Sequence, residues 1–216
     1  MGSMSETMTA ARAERLALCD LFEKVGPDAP TLCGTWLTRD LAAHLIIRER
    51  RPDLAVGILV PGLGGRLEKA QDELAQTDWR QLIHAVRTGP PFWHPTRVDL
   101  VDAAVNTLEF VIHHEDVLRG DGEPRARREV PAFVADATWD ALGRIAPLFL
   151  RRAGVSVDLK APGRKIIRGG RGPGVVVTGA PVDLALLIYG RARVADVGYA
   201  GAEAAIETLK NANLGV

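Results

Sequence analysis

The hydrophobic period of this chain changes once, at Gly154, and that change commits it to an α+β fold built in two parts. Up to Gly154 apolar residues recur at helical spacing, in stretches too long for strands. Beyond it, Val155-Ser156-Val157-Asp158-Leu159 alternates with a period of two. Ile166-Ile167 and Val175-Val176-Val177-Thr178 are short β-branched runs separated by Gly169-Gly170-Arg171-Gly172-Pro173-Gly174, a turn-rich segment.

Gly and Pro punctuate the helical part. A first helix over 5–25 ends at Gly26-Pro27 and Pro30, and Thr38 is the expected N-cap of a second over about 38–50. After Pro52 and the Gly/Pro cluster at 57–65, a third helix runs from about Gly65 to Val86 and stops at Gly89-Pro90-Pro91. A fourth, from about Thr96 to Arg119, is closed by Gly120-Asp121-Gly122. Pro131 opens a fifth over about 131–152, where its missing N–H is harmless. After the strands, 181–191 and 202–211 read as helices. The expected organisation is a helical domain over 4–122 and a small α+β C-terminal domain over 123–216, with residues 1–3 a cloning remnant before Met4.

Charge and composition remove several function classes. Lys plus Arg number 27 and Asp plus Glu 27, so there is no electrostatic footprint for nucleic acid or an anionic membrane. No apolar run approaches the roughly 20 residues of a membrane span, and the N-terminus lacks a secretory pattern. Cys19 and Cys33 are too few for a disulfide framework. The expectation is a cytoplasmic protein that binds neither nucleic acid nor membrane; its oligomeric state is not legible in the sequence.

The fourth helix carries the chemistry. At about 100° per residue, Val101, Val105, Leu108 and Ile112 share its core face. Beside them runs a polar stripe of Asp102, Asn106, Glu109, His113 and Asp116. Glu109 and His113, four apart, project together from adjacent turns, the spacing by which one helix offers two ligands to one ion. His114 falls on the opposite side with Thr107 and reads as solvated or facing a partner. In the second helix, His44 sits in Leu41-Ala42-Ala43-His44-Leu45-Ile46-Ile47, where a buried imidazole requires a hydrogen bond or a metal. Two histidines and a carboxylate leave a coordination position open, as in catalytic zinc sites. Glu-x-x-x-His also recurs on helices without any metal, and a histidine in an apolar helix is often a satisfied core residue, so spacing alone leaves both readings standing.

Thr31-Leu32-Cys33-Gly34-Thr35-Trp36-Leu37-Thr38-Arg39-Asp40-Leu41-Ala42-Ala43-His44-Leu45 resembles the signature of the mycothiol-dependent maleylpyruvate isomerase-like metal-binding family of the DinB-like superfamily. Glu109-Phe110-Val111-Ile112-His113-His114-Glu115-Asp116 is similar to that family's second metal motif. Gly179-Ala180-Pro181-Val182-Asp183-Leu184, running on to Tyr189-Gly190-Arg191, resembles its sterol-carrier-like C-terminal domain. The resemblance implies a DinB-like four-helix bundle with a divalent metal, most simply zinc, held by His44, Glu109 and His113. It further implies a thiol such as mycothiol as cosubstrate, a small organic substrate, and thiol-dependent isomerisation or S-transfer. Two other classes stay open: metal-dependent hydrolysis with Glu115 or Asp116 as base, and a non-enzymatic metal- or thiol-binding module.

Arg48, one turn beyond His44, is a candidate for a substrate carboxylate, with Arg51 and Arg97 behind it; a surface ion pair is the plainer role for each. Asp116 is a candidate for orienting a ligand. Trp36 is expected to pack the loop on the helices and Cys33 to be a small structural residue, the alternatives being a fourth ligand or a redox thiol. His84 and His94 have no spacing that demands a metal. Arg164, Lys165, Arg168 and Arg171 read as a solvated hairpin, because the glycines among them open no helix.

Overall fold

The computed structural model describes residues 8–51, 64–90, 99–123 and 125–215, and in the helix that starts at Asp99 it describes side chains from Asn106 onward. Arg97 and His94 lie outside the described residues, as do 1–7 and the side chain of Asp102. The chain divides into two compact units, Met1–Asp121 and Gly122–Val216. Together they contain eight α-helices and a four-stranded mixed sheet among the described residues, an α+β protein. No described helix is long and apolar enough to cross a membrane.

The first unit is helical. Thr9 caps α1 (Ala10–Val25) by accepting the Arg12 N–H, and Gly26, at φ 79°, turns the chain out of it. The second helix, α2 (Thr38–Arg50), differs from expectation at its start. Leu37 holds the N-cap position, because the Asp40 carboxylate reaches back to its N–H at 2.9 Å. The Thr38 hydroxyl instead donates to the Gly26 carbonyl at 2.6 Å, tying α2 to the end of α1.

The single third helix expected from Gly65 to Val86 is two helices, α3 (Gly64–Ala75) and α4 (Trp79–Thr88). Asp78 causes the break: its carboxylate accepts the N–H groups of Arg80 and Gln81 and so starts a new helix. The ligand-bearing fourth helix of the sequence is α5 (Asp99–Leu118). α1 packs against α4 and α5, and α2 against α3 and α4. Their common core joins Leu18 and Phe22, Leu41 and Leu45, Leu82 and Val86, and Phe110 and Val117. Burial of apolar side chains of this size stabilises by about 1.5–3 kcal/mol each.

The second unit opens with α6 (Ala132–Phe149) and a 3-10 turn, Leu150–Arg152. Then come β1 (Ser156–Lys160), β2 (Ile167–Gly170), β3 (Gly174–Gly179), α7 (Pro181–Ile188), β4 (Val197–Gly201) and α8 (Glu203–Lys210). The strand order is β2-β1-β3-β4, with β1 and β3 parallel and both outer pairs antiparallel. Val157 pairs with Val175 and Leu159 with Val177, so period two places all four on one buried face. α6 packs against α7 and β2. Asp183, buried at the start of α7, accepts from Arg127 at 2.7 Å and from the Asp196 N–H at 3.0 Å. Arg171 is exposed in the β2–β3 turn.

Candidate metal centre

The site is assembled from α2, α5 and the loop between α1 and α2. That loop is moored to the end of α5 by two features. The Leu32 N–H donates to the Asp116 carbonyl at 3.0 Å. Gly120 lies against Pro30 so closely that a Cβ there would stand 1.9 Å from the Pro30 carbonyl oxygen. Within the loop, the Thr31 hydroxyl donates to the Trp36 carbonyl and accepts the Cys33 N–H, which fixes the Cys33 side chain toward α5.

Five side chains converge. The Nε2 atoms of His44 and His113 lie 3.3 and 3.2 Å from Glu109 Oε1. On its other edge, His113 Nδ1 lies 2.9 Å from Asp116 Oδ2. The Cys33 thiol donates to the same Asp116 oxygen at 3.1 Å. Exposure grades across the cluster: Asp116 is 0 % exposed, His113 11 %, His44 14 % and Glu109 20 %. Access is therefore from the His44–Glu109 side, with Asp116 at the floor.

Both ring nitrogens of His113 face carboxylate oxygens, which an imidazolium satisfies and a neutral ring does not. Burial alone would lower the His113 pKa; the contacts with Asp116, Cys33 and Glu109 reverse this and hold it well above the ordinary histidine value. Burial likewise pushes Glu109 up, but bonding to His113 and His44 and the nearby Arg48 guanidinium bring it well below the usual carboxylate range.

The donor set can hold a divalent ion. Tetrahedral coordination at ordinary zinc–nitrogen and zinc–oxygen lengths sets neighbouring ligand atoms about 3.3 Å apart, which is the spacing of both histidine nitrogens from Glu109. His44, Glu109 and His113 offer atoms that all lie within 4.8 Å of one another, and so do Cys33, His113 and Asp116. In the first group Asp116 sits behind His113 as the carboxylate that fixes the ring's tautomer and direction.

Several expectations are revised. Arg48 takes the plainer of its two expected roles, an ion pair, but within the cluster: Nε lies 3.3 Å from Glu109 Oε1 and Nη1 2.5 Å from Asn106 Oδ1. His114 is neither solvated nor facing a partner molecule. It is buried, with Nδ1 3.1 Å from Glu14 Oε2, because α1 covers that side of α5. Glu115 is buried against Arg119 at 2.7 Å and points its charge there rather than to a water at the site. Cys33, read as a small structural residue, touches both Asp116 and His113. Trp36 packs on the core as expected and stands 5.2 Å, ring to ring, from His44. His84 is exposed on α4 and Arg51 at the end of α2, neither of them in the cluster. Comparison with protein-family models, with curated proteins and with solved structures finds no match to this chain.

Proposed function

We infer that this chain binds one divalent ion, zinc in the simplest case, through His44, Glu109 and His113, and uses it in thiol-dependent isomerisation or S-transfer on a small organic substrate. The observation that carries the metal part is the convergence of two imidazole Nε2 atoms on one oxygen of Glu109, at 3.3 and 3.2 Å, on the accessible side of the cluster. The thiol part, with mycothiol as cosubstrate, rests on the resemblance of the Thr31–Leu45 and Glu109–Asp116 segments to the maleylpyruvate isomerase-like family, and with it the reading of the first unit as a DinB-like four-helix bundle and of the second as sterol-carrier-like.

A bound ion of this kind supplies a Lewis-acid position at which a thiol is held as its thiolate. The chain's own residues prepare that position. Asp116 accepts the Nδ1–H of His113 and leaves the Nε2 lone pair directed at the ligand cluster. Arg48 holds the Glu109 carboxylate ionised and oriented. Trp36 and His44 set an aromatic wall beside the opening. Metal-dependent hydrolysis draws less support, because Glu115 is engaged by Arg119 and Asp116 by His113 and Cys33.

Elemental analysis tests the metal reading, on protein purified without a metal-affinity step and compared with His44→Ala and His113→Ala. About one zinc per chain, lost in both variants, is the expected result; a metal-free parent that takes up no ion on titration overturns it. For the thiol reading, mycothiol added to cobalt(II)-loaded Cys33→Ser protein gives a thiolate-to-metal charge-transfer band. Absence of that band reduces the protein to a metal-binding module.

A further inference from the structure

His113 presents a second set of donors on the edge facing away from His44. Cys33 Sγ lies 3.1 Å from Asp116 Oδ2 and 3.8 Å from His113 Nδ1, and those two atoms are 2.9 Å apart. A tetrahedral ion held by a thiolate, an imidazole and a carboxylate spaces its ligand atoms at about 3.6 Å from sulfur and about 3.3 Å otherwise. The two sulfur separations, 3.1 and 3.8 Å, fall on either side of the first value, and the 2.9 Å between Nδ1 and Oδ2 is about 0.4 Å short of the second. Asp116 is fully buried and His113 nearly so, while Cys33 is half-buried at the end of a moored loop.

We propose that Cys33, His113 Nδ1 and Asp116 form a second metal site, selective for thiophilic divalent ions, that competes with the His44–Glu109–His113 site for one imidazole. A neutral imidazole has one lone-pair nitrogen and one N–H. With an ion on Nε2, the Nδ1–H is donated to Asp116. With an ion on Nδ1, the Nε2–H is donated to Glu109, 3.2 Å away. Each carboxylate is therefore a ligand in one mode and the orienting acceptor in the other, and the ion chosen fixes the tautomer. Soft ions favour the side with sulfur; hard and borderline ions lose less on the side with oxygen and two imidazoles. Cys19 offers no rival thiolate, because burial in the core pushes it up to about 12. The second mode uses neither His44 nor Glu109 as a ligand, so the site itself stands or falls separately from the first, while the competition rests on the proposed first site.

Cadmium chloride titrated into the metal-free full-length protein under reducing conditions is the test, read by ultraviolet thiolate-to-cadmium charge transfer. The band saturates at one ion per chain, survives His44→Ala, and disappears in Cys33→Ser and in Asp116→Asn, while Cys33→Ser keeps its zinc. No band in the parent, a band that persists in Cys33→Ser, or its loss in His44→Ala each overturns the second site. Zinc and cadmium bound together, two ions per chain, overturns the competition.

Discussion

Replacing Gly120 by Ala tests whether the Cys33-bearing loop depends on its mooring to α5. The added Cβ would stand 1.9 Å from the Pro30 carbonyl oxygen, 2.6 Å from its carbon and 3.1 Å from the Thr31 Cα. All three atoms are backbone, so no side chain can rotate away. Restoring an ordinary contact moves the Pro30–Thr31 segment by about 1.5 Å, an overpacking worth about 1–3 kcal/mol. That shift stretches the bond from the Leu32 N–H to the Asp116 carbonyl, now 3.0 Å, at a further cost of about 1 kcal/mol. The sum, about 2–4 kcal/mol, lowers the melting temperature of a unit this size by roughly 10 °C. Far-ultraviolet circular dichroism on the metal-free protein measures it. Gly65→Ala is the control, since Gly65 lies in the first turn of α3 with nothing within 4 Å of its Cβ, and alanine there is neutral or slightly stabilising. Equal melting temperatures for Gly120→Ala and the parent would refute the argument that this glycine exists for close approach.

Asp116→Asn leaves the three ligands of the first site in place but removes the carboxylate behind His113, and zinc affinity by chelator competition is expected to fall about 10–100-fold; an unchanged affinity would mean that Asp116 does not orient the ring. Because Asp116, Cys33 and Glu109 together hold His113 protonated well above the ordinary histidine value, an ion entering at neutral pH must displace that proton, whereas Glu109, held low, has none to lose. Affinity therefore weakens as pH falls, by up to about tenfold per unit, and calorimetry in buffers of different ionisation enthalpy reports proton release; buffer-independent heats contradict it. Glu49→Ala removes the carboxylate that Arg15 binds through both its oxygens at 2.6 and 2.5 Å in the core, leaving it the Val86 carbonyl at 3.2 Å, and the expected loss is about 3–5 kcal/mol in urea unfolding. A loss under 1 kcal/mol would show that water reaches Arg15.

What could be read from the sequence was what depends on neighbours along the chain. The Gly26-Pro27, Gly89-Pro90 and Gly120-Asp121-Gly122 stops delimit helices because φ and N–H constraints are local. Glu109 and His113 share a face because four residues make about one turn, so their pairing followed from spacing. His114 was misread for the complementary reason. A helical wheel says which side a residue faces, and only packing says that α1, with Glu14, covers that side. The break at Asp78 escaped notice because Leu74, Leu82 and Ile83 keep an apolar rhythm on both sides of it. β4 escaped because Gly198 and Gly201 dilute Val197-Gly198-Tyr199-Ala200-Gly201; it is a strand by virtue of the exposed edge of β3. Cys33 required the Leu32–Asp116 bond between segments more than eighty residues apart.

α1, which contributes no residue to the candidate cluster, sets the geometry of α2 and α5, which do. Glu14 and Arg15 are consecutive on α1, and both are buried. Glu14 meets His114, the residue beside His113 on α5, and Arg15 meets Glu49, five residues beyond His44 on α2. Buried pairs of this kind add little net stability, because desolvation offsets most of the attraction. Their effect lies in what they forbid. Turning α5 by one residue, about 100°, would carry His114 off Glu14 and break a buried contact, at a cost of about 1–3 kcal/mol. The same rotation of α2 would part Arg15 from Glu49. A purely apolar interface tolerates such slips, since one leucine replaces another with a modest loss. Two buried polar contacts from adjacent positions of one helix penalise them on both α2 and α5. This holds the Nε2 atoms of His44 and His113 at 3.3 and 3.2 Å from a single Glu109 oxygen.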